Sequence, residues 1–357
     1  LVFSKNKTGV LANLTIQIMM KQSEKISLLN KLGNFIQDGG FEDEIKLATS
    51  KNPWFTEENI RFALTSICLH YLDETKLQQW LEAYVVDDKK PLKNIGLVLA
   101  GNIPLVGFHD ILTVFLSGNH ALIKFSDKDD VLIPAMIQKM AEWNPQTTSF
   151  FSKVDKLAGY DAVIATGSNN TSKYFEYYFR DKPHLIRKNR NGVAILDGKE
   201  SDDDIRRLGH DIFTYFGLGC RNVSKIYIPE GFDLPNLLHA FDPWKPLAFH
   251  NKYKNNLDYN HALYLLNQEP FLIHDALILR ESEAIASRVA CVHYEYYKNV
   301  EDLSIQISNH KDEIQCIVGN LRLSDISEAF DFGDAQTPSV STYADGVDTM
   351  QFLLDLV

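Results

Sequence analysis

Beyond Pro91 the chain alternates short apolar runs with amphipathic stretches, and this alternation restricts the fold more than any other feature. Runs at 95–100, 120–125 and 162–165 are followed by helical periodicity starting near Phe108, Asp129 and Asn170. A strand returning parallel to its neighbour needs such a crossover, so the pattern predicts an α/β fold with a parallel sheet, binding ligands beyond the carboxyl ends of its strands. A second series follows, with strands at 193–196 and 225–228, helices at 202–216 and 234–241, and further units reaching 314–318. Before Pro91 the apolar spacing of three and four predicts helices over 21–84, broken at Pro53. The stretch 332–345, rich in Gly, Ser, Thr and Asp, reads as a loop before a last helix at 347–356.

With 357 residues, 45% of them hydrophobic, the chain can bury a large core and build two domains around a cleft. A formal charge of -11 argues against nucleic acid or an anionic membrane as the main partner. Four scattered cysteines, with no Cys-x-x-Cys or His-Glu-x-x-His pattern, predict reduced thiols, no metal centre and a cytoplasmic setting. The first residues are interrupted by polar side chains and lack a cleavage site, so no signal peptide is expected; a start at Leu1 suggests a trimmed chain. The Asn-x-Ser/Thr matches at Asn13, Asn170 and Asn222 are then chance, and no apolar run is long enough to span a membrane.

Chemistry concentrates in three turns. Gly217-Leu-Gly-Cys220-Arg-Asn lies between a helix and a strand, where glycines let a substrate carbonyl approach sulfur and leave backbone N–H groups free for an oxyanion. A small buried Cys in a turn is the alternative, and it is the reading that fits Cys68 in a helix and Cys291 and Cys316 in apolar strands. Asn102, after a strand and before Ile-Pro-Leu, can donate to a developing oxyanion, or can serve the turn alone. Gly167-Ser168, between a strand and a helix, can hold a pyrophosphate on helix amides or act as an N-cap.

In order and spacing, Asn102-Ile-Pro-Leu, then Ser117-Gly-Asn-His-Ala-Leu-Ile-Lys124-Phe-Ser-Asp127, then Thr-Gly167-Ser168, then Gly-Leu-Gly-Cys220, resemble the aldehyde dehydrogenase superfamily. The stretches Arg187-Lys-Asn-Arg-Asn-Gly-Val-Ala-Ile-Leu-Asp, Gly217-Leu-Gly-Cys-Arg-Asn-Val-Ser-Lys-Ile-Tyr and Tyr343-Ala-Asp-Gly-Val-Asp-Thr-Met resemble acyl-CoA reductases of the LuxC type. The resemblance implies a Rossmann-type cofactor domain plus an α/β catalytic domain. It divides the chain into a helical segment and cofactor domain (1–190), a catalytic domain with the nucleophilic Cys (191–335) and a carboxyl-terminal loop and helix (336–357). It implies catalytic roles for Cys220 and Asn102, ribose contacts for Lys124 and Asp127, pyrophosphate contacts for Gly167 and Ser168, and makes Glu283 a candidate for the nicotinamide ribose.

One departure bears on the reaction. Where hydrolytic aldehyde dehydrogenases carry a water-activating Glu, an ungapped match puts Arg187, and no carboxylate occurs between Lys182 and Arg190. The expected reaction is therefore NADPH- or NADH-dependent reduction of an acyl-CoA, with a fatty chain, to aldehyde through an acyl-Cys220 thioester. Its alternatives are the oxidative direction, or a cofactor-free cysteine acyltransferase or thioesterase with a His base. Asp127 favours a free 2′-hydroxyl, hence NADH, whereas the resembling reductases use NADPH. A homo-oligomer and an acyl-donating partner enzyme are expected partners. Arg187, Lys188 and Arg190 are either phosphate ligands or a solvated charged face.

Overall fold

The structure, a computed structural model, describes residues 20–87, 90–321 and 328–356; the amino-terminal stretch with its Asn13 match lies outside them. Four helices come first: α1 (Gln22–Gln37), α2 (Glu42–Lys51), α3 (Glu57–Tyr71) and α4 (Glu74–Leu81). Thr56 and Asp73 cap α3 and α4 by accepting the Asn59 and Lys76 amides, which satisfies donors the first turns leave open. Ile26, Leu29, Leu32 and Ile36 of α1 and Ile60, Leu64 and Ile67 of α3 are buried in one core, as their helical spacing requires.

The next elements are β1 (Asn94–Val98), α5 (Phe108–Leu116), β2 (His120–Lys124), α6 (Leu132–Trp143), β3 (Phe151–Lys153), β4 (Ala162–Thr166), α7 (Asn169–Phe179) and β5 (His184–Arg187). The strands form a parallel sheet of order β3-β2-β1-β4-β5. Its central strands are buried on both faces, hence their continuous apolar runs. The order reverses between β1 and β4, and that is where an open α/β sheet leaves a crevice at its carboxyl edge.

Between Arg187 and Asn191 the chain passes into a second sheet, built from β6 (Asn191–Ile195), α8 (Asp202–Phe213), β7 (Val223–Pro229), α9 (Leu234–Ala240), α10 (Asn251–Leu266), β8 (Leu272–Ile273), β9 (Ile278–Glu281), β10 (Cys291–Tyr297), α11 (Val300–Asn309), β11 (Ile314–Val318) and β12 (Ala329–Phe330). Its order is β12-β11-β6-β7-β10-β9-β8, with β8 and β9 antiparallel and the other pairs parallel. The last helix, α12 (Thr349–Leu354), returns to the first domain, where Met350 and Leu353 join the core of β1 and α5. No helix among the described residues is long and apolar enough to cross a membrane.

One boundary departs from the sequence expectation. The helix predicted to reach Phe216 ends at Phe213, and residues 214–217 form a 3₁₀ turn with Tyr215, Phe216 and Gly217 at φ 55°, 59° and 73°. Side chains rarely adopt this left-handed backbone, so the surroundings must hold it. The Asn222 amide takes the carbonyls of Asp211 and Thr214, both at 2.9 Å. Phe216 packs against Trp54, His250 and Tyr253, with ring centroids 5.3, 4.4 and 5.8 Å away. None of these tertiary contacts is visible in helical periodicity.

Candidate active site

Cys220 lies just before the amino end of β7, in the loop that follows this turn. The Gly219 N–H donates to Asn222 Oδ1 at 2.8 Å, and a Cβ on Gly219 would meet that oxygen at 2.9 Å, so the close approach requires glycine. Asn222, 2% exposed, thus fixes both ends of the nucleophile loop. In the sequence Asn222 shows only as a chance Asn-x-Ser match; an Asn two residues after the Cys, able to bond neighbouring backbone, is the signal it carries for this role.

Asn102 reaches the loop from the end of β1 in the first sheet. Its Nδ2 donates to the Leu218 carbonyl at 2.7 Å, and a Cβ on Gly219 would lie 3.4 Å from Ile103, so the β1 turn and the Cys220 loop are in contact. An Asn amide carries two N–H donors, and this bond uses one. Lys124 ends β2, Asp127 stands in the exposed turn after it, and Gly167 and Ser168 follow β4. With β2, β1 and β4 adjacent and parallel, all of these residues and Asn102 sit along one carboxyl edge. Ser168 also caps α7, accepting the Thr171 amide at 3.2 Å, and Gly167 packs where a Cβ would meet Phe175 at 2.9 Å. Glu283 is not in this group: it follows the carboxyl end of β9, whereas Cys220 precedes the amino end of parallel β7.

Burial pushes the Cys220 thiol up; Arg221 draws it down, Asp345 and Glu328 raise it, and Arg187 lowers it. The two nearby carboxylates come from β12's approach and the carboxyl-terminal segment, far along the chain from Cys220. Arg221 pairs with Glu328 at 3.1 Å, and Gln315 Nε2 donates to both Glu328 oxygens at 3.3 Å. Asp345, at φ 59°, pairs with Arg190 at 3.4 Å. The basic run from the end of β5 is therefore spent on ion pairs: Arg187 on Asp110 at 2.7 Å, Lys188 on Glu176 at 2.9 Å and Arg190 on Asp345.

Two buried donors beside Cys220 have no acceptor among the described residues, Arg221 Nε and Gln336 Nε2. Gln336 is 8% exposed, and its Oε1 lies 3.7 Å from the position of a Cβ on Gly219. Buried polar groups are nearly always paired, so each invites a ligand oxygen. Cys220 itself makes no hydrogen bond to a histidine among the described residues. The histidine at the site, His109, bonds the Val340 carbonyl through Nε2 at 2.8 Å. No cluster of three or more His, Cys, Asp or Glu side chains able to hold a metal occurs among the described residues. Cys68, Cys291 and Cys316 are buried, and burial raises each thiol.

Comparison with known proteins bears on the family and on the fold. Residues 69–234 match the acyl-CoA reductase (LuxC) family. The LuxC-matching stretch begins in α3, ends at the start of α9, and contains Asn102, Lys124, Asp127, Gly167, Ser168 and Cys220. A long-chain acyl-protein thioester reductase of Aliivibrio fischeri is 25% identical over 194 residues, which cover 49% of this chain and 39% of that protein. The chain thus matches well under half the length of that relative. Aldehyde dehydrogenase 21 from Physcomitrella patens superposes with a TM-score of 0.67 at 13% identity, covering 95% of this chain and 85% of the other. Lactaldehyde dehydrogenase from Escherichia coli gives 0.65 at 11% identity, with coverage of 87% and 78%. The fold is that of the aldehyde dehydrogenases.

Proposed function

We propose that the protein is an NAD(P)H-dependent reductase of acyl thioesters, acyl-CoA in the first instance, working through an acyl-Cys220 intermediate. The observation that carries this reading is the contact of the Asn102 turn with the Cys220 loop at 2.7 Å, beside donors that lack acceptors.

The Cys220 thiol releases its proton to solvent, from which the departing CoA thiolate takes one up, and the sulfur attacks the thioester carbonyl. The tetrahedral oxyanion is held by the Cys220 N–H and the Asn102 amide, an arrangement worth about 3–4 kcal/mol to the transition state. Collapse breaks the old carbon–sulfur bond and releases the CoA thiolate, leaving the acyl group on Cys220. Arg221 offsets part of the burial that disfavours the thiolate. The carboxyl edge of β2, β1 and β4 fits a dinucleotide: Gly167 and Ser168 open α7 beside the switch point, and Lys124 and Asp127 stand one strand away. A reduced nicotinamide bound there would supply hydride to the carbonyl carbon of the Cys220 thioester; the carbon–sulfur bond would then break to free the aldehyde, and a proton from solvent would restore the thiol. Asn102 and the Cys220 N–H hold the same oxygen through this second step. With Arg187 committed to Asp110, the position that would carry a hydrolytic base carries a paired cation. A histidine-assisted acyltransferase is disfavoured, because no histidine is among the groups that act on the Cys220 thiol.

The test is incubation with radiolabelled acyl-CoA without coenzyme. One hydroxylamine-labile label per chain is expected, discharged as aldehyde on adding NADPH or NADH and lost in Cys220→Ala. Label that persists in Cys220→Ala overturns the reading.

A further inference from the structure

Asp129 is a carboxyl buried to 6% exposure that no Lys, Arg or His pairs with among the described residues. Burying a carboxylate without a cation is costly, so its presence calls for a reason. Its Oδ2 accepts the Leu105 N–H at 2.8 Å. Leu105 closes the turn that carries Asn102 and sits at φ 60°, a left-handed backbone costing roughly 1–2 kcal/mol in a residue with a Cβ. The other end of that turn rests on the same neighbour: a Cβ on Gly101 would meet Ser126 Oγ at 2.5 Å and Lys128 Cβ at 3.1 Å. Asn102 is thus suspended between two attachments to the 126–129 loop. An amide or hydroxyl would accept a backbone N–H at lower burial cost, but a charged acceptor holds it about twice as strongly.

We propose that Asp129 is a positioning residue for Asn102, its carboxyl group fixing the strained Leu105 turn and with it the place of the Asn102 amide over the Cys220 loop. The catalytic consequence rests on the acyl thioester reading above; the structural one does not. The same loop carries Lys124 and Asp127 at its start, so Asp129 also ties the expected adenosine side of the crevice to the reacting side. Burial pushes Asp129 up to about 7, the Leu105 N–H opposing and Asp130 adding to the rise. The charged groups around it are Asp130, paired with Lys51 at 2.5 Å, and Asp127 and Lys128 of its own loop; residues 101–107 contribute none. The Leu105 N–H favours the charged form but burial outweighs it, so the closed turn is most stable with Asp129 protonated and loosens as pH rises through about 7.

Hydrogen exchange and turnover together test this. In Asp129→Ala, amides of 102–106 should exchange about tenfold faster, the equivalent of one lost hydrogen bond, with β2 and α6 unchanged. In the wild type their protection, corrected for intrinsic exchange, should fall from pH 6 to 8, and in Asp129→Asn it should be flat. With acyl-CoA and NADPH, Asp129→Ala should lower kcat about tenfold at nearly constant KM, and lower it no further in an Asn102→Ala background. Unchanged exchange at 102–106, or fully additive losses in the double variant, overturns the proposal. If Asp129→Ala does not fold, a pH-dependent protection in Asp129→Asn equal to that of the wild type does so. A wild type that never oxidises NADPH with acyl-CoA overturns the acyl thioester reading instead, and exchange still decides Asp129.

Discussion

Arg187 Nη1 donates to both carboxylate oxygens of Asp110 at 2.7 Å while Nη2 donates to Thr349 Oγ1 at 2.9 Å, so one guanidinium joins β5, α5 and α12. Asp110 is buried and Arg187 largely so, with side chains 6% and 12% exposed. Arg187 is thus a structural clasp. Arg187→Glu should set two carboxylates against each other and cost at least the roughly 3–5 kcal/mol of a broken buried pair, read as a fall in denaturant midpoint. It should not divert product from aldehyde to acid. An Arg187→Glu protein of normal stability that makes acid would show that the clasp matters less than the missing base.

Asn102→Ala should lower turnover by about 10²–10³, because the amide donates to charge that develops in the transition state. The lost bond to Leu218 should cost only about 1 kcal/mol of stability. Near-normal kcat in a folded variant would reduce Asn102 to a turn residue.

Gln336 offers a cleaner separation of stability from activity. Replacing its unpaired buried amide in Gln336→Leu should leave the melting temperature unchanged or higher, since an orphaned polar group costs about 1–3 kcal/mol. If that amide meets the substrate, kcat/KM for acyl-CoA should fall about tenfold, one hydrogen bond's worth. A fall in melting temperature with full activity would place Gln336 in the scaffold.

The thiol should behave as a buried one. Because burial raises Cys220 above the ordinary thiol range despite Arg221, its alkylation by iodoacetamide should keep climbing with pH past neutrality without a plateau. Removing the cation in Arg221→Gln, with Glu328→Gln to avoid a lone buried carboxylate, should shift that climb to still higher pH. A plateau below pH 7 would mean a thiolate already formed at rest.

Asp211 predicts a stability profile. Buried, and accepting the Gly333 and Ala335 amides at 2.6 and 3.1 Å, it is pushed up to about 7. A carboxyl raised above its unfolded value binds its proton more tightly when folded, so its stabilisation is complete near pH 4 and is lost as pH rises through 7. Thermal midpoints should therefore decline across that window, and Asp211→Asn should flatten the decline. An unchanged slope would assign it to other groups.

The sequence by itself determined the α/β alternation, because buried parallel strands and their crossover helices must be apolar with periods that differ, and 95–98 or 162–165 satisfy only one of them. It also set Cys220 apart from Cys68, Cys291 and Cys316, since only Cys220 is flanked by glycines. What the tertiary structure decided is everything that depends on residues far apart in the chain. Helix α8 stops at Phe213 because Asn222 takes its last carbonyls and Phe216 finds Trp54 and His250, which no periodicity encodes. Glu328, Asp345 and Gln336 come to Cys220 from the carboxyl-terminal part of the chain, and Arg187 is spent on Asp110, 77 positions away. A local pattern reports how one segment meets water; the field at a thiol is set by charges that only folding brings within reach.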